Sequence, residues 1–179
     1  NLSLTSDYLV DGLSQTQNEP ALQGGVDWFG ESGLYAGIWA SRVDFSSESD
    51  SALESDWYVG YQFPVSESVA LDFTYFKYIY LNDGLGRSDD DIDFQEFVLG
   101  MTVLENTSLK YYYSDDYIGI GEASSHFKLT HNQAIDEQLT LELEYGRALY
   151  KDAIGENYNH YRVGLSYSFD AFSVTLNYQ

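Results

Sequence analysis

Val69-Ala70-Leu71-Asp72-Phe73-Thr74-Tyr75 and Leu139-Thr140-Leu141-Glu142-Leu143-Glu144-Tyr145 are the two stretches that decide the fold class of this chain. In each, every second residue is large and apolar while the residues between are small, polar or charged, the period of a β-strand with one apolar face. The pattern recurs at Trp57, Val59, Tyr61 and Phe63, and at Phe97, Leu99, Met101 and Val103. It returns at Tyr161, Val163, Leu165, Tyr167 and Phe169, and at Phe172, Val174, Leu176 and Tyr178. No segment longer than two turns carries a helical period.

The alternation and its punctuation predict eleven strands, at 2–14, 21–30, 33–45, 56–65, 68–81, 93–105, 108–118, 124–134, 138–150, 159–169 and 171–178. Short connections at Glu31-Ser32, Ser66-Glu67, Asn106-Thr107, Asp136-Glu137 and Asp170 alternate with longer ones at 46–55, 82–92 and 151–158. Short turns at one end and long loops at the other are the arrangement of an up-and-down transmembrane barrel. A soluble sandwich with Greek-key crossovers scatters its loop lengths. Aromatic residues such as Tyr8, Trp28, Tyr35, Phe63, Tyr111 and Tyr145 fall near strand ends, where amphipathic rings meet lipid headgroups. The expected fold is therefore all-β, an antiparallel barrel forming one domain over residues 1–179, and the alternative is a soluble acidic sandwich that binds carbohydrate through Tyr and Trp.

Composition narrows the chemistry. Twenty-nine Asp and Glu face 8 Lys and Arg, a formal charge of −21, so the basic clusters that hold nucleic-acid phosphates are missing. Cysteine is absent, which removes disulfides, thiolate metal sites and thiol nucleophiles. Imidazole comes only from His126, His131 and His160. With 44% hydrophobic and 17% aromatic residues the chain is too rich to be disordered. No run approaches the roughly 18 apolar residues of a spanning helix, and no basic-then-apolar leader pattern opens at Asn1. Barrel strands escape such a search, and a mature exported chain has lost its leader.

Residues Leu4 to Phe45 also carry a resemblance. Thr5-Ser6-Asp7-Tyr8, Gly12-Leu13-Ser14-Gln15-Thr16, Pro20-Ala21-Leu22-Gln23-Gly24-Gly25 and Glu31-Ser32-Gly33-Leu34-Tyr35-Ala36-Gly37 resemble the opening of the TorF family of bacterial outer-membrane porins. The likeness covers about a quarter of the chain. It departs where the family has arginine before the glycine matching Gly12, since Asp11 stands there. The resemblance implies a barrel in the outer membrane of a Gram-negative bacterium.

Eleven strands pose a problem of closure, because in an alternating sheet the first and eleventh run the same way. Bacterial single-chain barrels have even strand numbers. The expectation is about 12 strands, the last one beyond Gln179, with residues 2–10 not pairing directly with 171–178; a strand break hidden in 68–81 or 138–150 would overturn it.

The parity assigns Leu71, Phe73, Leu141, Leu143, Val163, Leu165, Val174 and Leu176 to lipid. It assigns Asp7, Asp27, Asp72, Glu96, Lys110, Asp116, Lys128, Glu142, Glu144 and Arg162 to the lumen, seven acids and three bases. An acidic lumen concentrates cations, so the expected function is a narrow, cation-preferring diffusion channel for small solutes without cofactor or metal. The alternative is a plugged barrel whose bases pair with its acids. Expected partners are outer-membrane lipid and lipopolysaccharide, with small cations or solutes in the lumen.

The acidic stretches Glu48-Ser49-Asp50, Glu54-Ser55-Asp56 and Arg87-Ser88-Asp89-Asp90-Asp91-Ile92-Asp93 read as solvated loops, lacking the spacing of the twelve-residue calcium loop. No catalytic elbow or zinc-protease pair is present, and Ser125 and His126, adjacent on a strand, point to opposite faces. The chain is read as a non-enzyme.

Overall fold

The computed structural model describes residues 1–46 and 49–179. Glu48 of the first acidic stretch lies outside the described residues. Thirteen strands form: β1 Leu2–Thr5, β2 Leu9–Val10, β3 Leu13–Ser14, β4 Ala21–Phe29, β5 Leu34–Arg42, β6 Leu53–Ser66 and β7 Val69–Leu81. They continue as β8 Phe94–Val103, β9 Thr107–Ser114, β10 Ser124–Ala134, β11 Leu139–Tyr150, β12 Glu156–Phe169 and β13 Phe172–Tyr178. Among the described residues helix is confined to a 3₁₀ turn at Tyr117–Gly119 and one α-turn, α1, at Lys151–Ile154.

All but β2 and β3 join one eleven-stranded antiparallel sheet in the order β1-β4-β5-β6-β7-β8-β9-β10-β11-β12-β13. Consecutive strands are neighbours throughout, so the fold is a single up-and-down sheet and not a sandwich. The period-2 segments locate its members well, because each alternating run is also a pairing unit. Strands β7 and β11 run unbroken, so neither supplies the extra strand the count requires.

Side-chain parity holds across the registers. Phe63, Leu71, Met101, Leu109, Leu129, Tyr145 and Tyr161 form one continuous row on the outer face. The eight positions expected outside all share this face; Phe73 is 51% and Leu176 76% exposed, while Leu71 and Leu141 are half-buried between neighbours. On the inner face the row Gln62, Asp72, Gly100, Lys110, Lys128, Gly146 and His160 runs parallel to it.

Two expectations need correction. First, the sheet is not closed into a barrel: among the described residues β1 pairs with β4, β13 pairs with β12, and no pairing joins β1 to β13. These two edges run the same way, and β1 is only four residues long. Second, residues 2–14 are not one strand. After Thr5 the chain leaves the sheet and makes the small β2–β3 hairpin, which turns at Asp11 (φ 52°) and Gly12 (φ 86°). Two successive positive φ values are the signature of a type I′ turn, and Asp-Gly is a preferred pair for it.

The base of the hairpin is knotted by Asp7. Its Oδ1 accepts from the Ser14 hydroxyl at 2.7 Å and lies 3.0 Å from the Thr16 hydroxyl, which itself accepts the Tyr8 amide. Thr16 is fully buried. Backbone bonds from Gln15 to Tyr8 and from Asp44 to Gln15 tie the return to the end of β5. Beneath the long loops Val43, Tyr80 and Phe94 form a core that gathers Tyr8, Phe45, Ile92 and Tyr117.

Candidate functional site: the polar interior

The hairpin stands inside the curl of the sheet, and its tip meets the far wall. Asp11 Oδ1 lies 2.9 Å from Lys128 Nζ on β10 and 3.4 Å from His160 Nε2 on β12. Asp11 Oδ2 lies 3.2 Å from His126 Nδ1 and accepts from the Tyr150 hydroxyl at 3.3 Å. Asp11, His126 and His160 are 7%, 2% and 5% exposed. Burial alone would raise the Asp11 carboxyl, but the Lys128 ammonium and the His126 imidazole outweigh it and hold the group below its usual value. On the same hairpin the Tyr8 phenol is pushed up by burial and by Glu54 and Asp56, so it remains a protonated donor.

The two imidazoles meet across β11 because the β11 residue paired with His160 is Gly146 and the one paired with His126 is the small Ala148. His126 Nε2 and His160 Nε2 are 2.9 Å apart, although their strands are separated by β11. Gly146 is paired with His160, and a Cβ there would fall inside the His160 ring. The glycine lets the ring lie over the strand toward His126.

The hairpin divides the interior. One cavity of about 740 Å³ is bordered by Tyr8, Asp11, Glu54, Asp56, Glu96 and His126. A second of about 520 Å³ lies toward the open edges, bordered by Asp7, Asp11, Lys128, Glu144, Arg162 and Asn177. Asp11 and Lys128 belong to both.

Of the ten residues expected to line a lumen, seven lie on the inner face of strands away from the rim. Glu96 accepts from the Tyr78 hydroxyl at 2.9 Å, and Asp72 accepts from Tyr35 at 2.7 Å and Thr74 at 2.8 Å. Arg162 bridges Glu142 at 2.7 Å and Glu144 at 3.4 Å. Lys110 sits beside Lys128 in the inner row. Asp27 is exposed near the end of β4 and accepts from the Tyr58 hydroxyl. Asp7 and Asp116 are not on sheet strands. Asp7 knots the hairpin, and β9 ends at Ser114, where the Ser114 hydroxyl accepts the Asp116 amide and starts a turn. Asp116 Oδ1 then accepts the Gly121 amide at 2.6 Å.

Asp11, His126 and His160 were not among the expected lumen residues. The signal for Asp11 was the Asp-Gly pair, which marks a hairpin tip when it interrupts an alternating run. The histidine pair has no local signal, since its partners lie 34 residues apart. Of the acidic stretches expected to be solvated loops, Glu54-Ser55-Asp56 instead opens β6 with both carboxyls buried facing the interior, and the other two are cross-linked by serines: Ser49 and Ser51 donate to Asp90, and Ser88 to Asp50.

No curated protein and no solved structure matches the chain. The model of one family, described as a bacterial protein of unknown function (Gcw_chp), matches residues 1–179. That assignment carries neither the TorF label nor the porin activity that the opening residues resemble. On this match over its whole length, the chain belongs to the bacterial Gcw_chp family.

Proposed function

We propose that the chain is a β-barrel protein of the Gram-negative outer membrane, a narrow, cation-preferring conduit for small solutes whose N-terminal hairpin stands in the path. The observation that carries this reading is the two-faced sheet: apolar and aromatic side chains cover the outside of every sheet strand, while carboxylates and bases lie within. A soluble protein rarely exposes so large an apolar surface. Strands β4 to β12 run 8–14 residues, against about 9–11 needed to cross a bilayer. Hydrocarbon tolerates no unpaired edge, so closure in the bilayer calls for a strand antiparallel to both β1 and β13.

Cation preference follows from the interior charge. On the inner face Asp27, Asp72, Glu142 and Glu144, with Asp11 at the hairpin tip, outnumber Lys110, Lys128 and Arg162. Fixed negative charge surrounded by low dielectric concentrates cations. Outer-membrane lipid and lipopolysaccharide are the surroundings, and no chemistry is assigned. Planar-bilayer recordings of the purified chain test this: discrete conductance with a cation-selective reversal potential is the expected result, and anion selectivity overturns it. The aromatic core under the long loops and the anchored hairpin favour a second reading, a plugged barrel, for which no conductance is the outcome.

A further inference from the structure

We infer that Asp11, His126 and His160 form a binding site for a divalent transition metal of the zinc class, one that joins the hairpin to the inner face of the sheet. Their donor atoms all lie within 4.8 Å of one another, and all three residues are buried. Two imidazoles and one carboxylate are a common catalytic or exchangeable zinc set, which leaves a coordination position open. Here that position faces the larger cavity, which both Asp11 and His126 border.

The spacing suits such an ion. Two bonds of about 2.0–2.1 Å at a tetrahedral angle set neighbouring donors ~3.3 Å apart. His160 Nε2 is 3.4 Å from Asp11 Oδ1 and 2.9 Å from His126 Nε2, while His126 meets Asp11 Oδ2 through its other nitrogen, Nδ1, at 3.2 Å, so binding through the two Nε2 atoms requires the rings to part by a few tenths of an ångström and the carboxylate to turn toward His126 Nε2. A second observation is independent of that spacing. His160 Nδ1 is buried without a hydrogen-bond partner, and Glu144 Oε1 lies 3.8 Å from it. A metal on Nε2 fixes the proton on Nδ1 and turns that nitrogen into a donor toward Glu144, the carboxylate–histidine–metal arrangement.

Lys128 stays on the Asp11 carboxylate and does not occupy the imidazole nitrogens. The inference does not depend on the membrane reading, because it concerns the inner face alone.

The test is titration of the purified, untagged chain in detergent with Co²⁺, followed by Zn²⁺. The expected result is one Co²⁺ per chain with the intense visible spectrum of a tetrahedral site, displaced by Zn²⁺. His126→Ala and His160→Ala abolish that spectrum, Glu144→Gln weakens binding about 10–100-fold, and His131→Ala leaves it unchanged. Should the alanine variants misfold, paramagnetic loss of the His126 and His160 ring signals in the wild-type chain, with His131 retained, reads the same site. Absence of stoichiometric Co²⁺ and Zn²⁺ binding by the wild-type chain, or binding that persists undiminished in a folded His126→Ala/His160→Ala double variant, overturns the inference. Metal binding without conductance would leave this site standing and remove the conduit reading alone.

Discussion

Asp11 Oδ1 and Lys128 Nζ lie 2.9 Å apart, a pair that fastens the tip of the N-terminal hairpin to the inner face of β10. The carboxylate is the more deeply buried partner, with its side chain 8% exposed against 22% for the lysine. Removing the ammonium leaves a buried charge with only neutral donors around it. Lys128→Met is expected to cost about 3–5 kcal/mol of unfolding free energy, and the Asp11→Asn/Lys128→Met double variant less than Lys128→Met alone. Urea unfolding of the parent, Lys128→Met, Asp11→Asn and the double variant in one double-mutant cycle checks this; a double-variant loss equal to the sum of the two single losses would show that the pair carries no coupling.

Gly146 is the second device that shapes the interior. An added Cβ meets the His160 ring, which must swing away from His126. Gly146→Ala is therefore expected to destabilise by about 1–3 kcal/mol. Loss of the coupling between the two imidazoles in ring-nitrogen NMR is the accompanying sign. A variant as stable as the parent with that coupling intact would contradict the geometry.

The Asp136 turn gives a pH dependence with a definite sign. Its carboxylate accepts the amides of Gln138 and Leu139, each at 2.8 Å, and these bonds hold its pKa below the ordinary value. A depressed folded pKa means the stabilisation is complete above the unfolded value and is lost as pH falls through the folded one. The Gln138 and Leu139 amide resonances should titrate together below the range of free aspartate, and Asp136→Asn should remove that titration. Midpoints in or above the free range would contradict the assignment.

The strands were legible in the sequence because period-2 alternation is itself the packing rule: Leu141 lies beside Leu165 on one face, and Glu144 beside Arg162 on the other. The hairpin was hidden because Leu9, Val10 and Leu13 continue the apolar look of β1, and only Asp11-Gly12 marks the reversal. His126 and His160 come together through β11, Gly146 and the curl of the whole sheet. No window along the chain contains that information. Asp116 was misplaced because Ser114-Asp115-Asp116 continues the strand by composition while the Ser114 hydroxyl captures the next turn.

Parity makes a further prediction about lipid. Leu165 is on the outer face and Ser166 on the inner one, paired with Leu176 and Thr175 respectively. Leu165→Arg should lower stability in lipid vesicles by about 2–4 kcal/mol if it lies near the midplane, with a much smaller loss for Ser166→Arg. Equal losses at the two positions would remove the distinction between the faces.

The most direct test of the central claim, that the outer face meets lipid, uses the protein's own tryptophans. Trp57 is on the outer face of β6, whereas Trp39 points inward and packs edge-on against Tyr8 at 5.5 Å. Single-tryptophan variants retaining one or the other are inserted into vesicles containing brominated lipid, and their fluorescence quenching is measured. Strong quenching of Trp57, with Trp39 largely protected, is the expected result. Quenching of Trp57 by aqueous iodide and not by brominated lipid would contradict it.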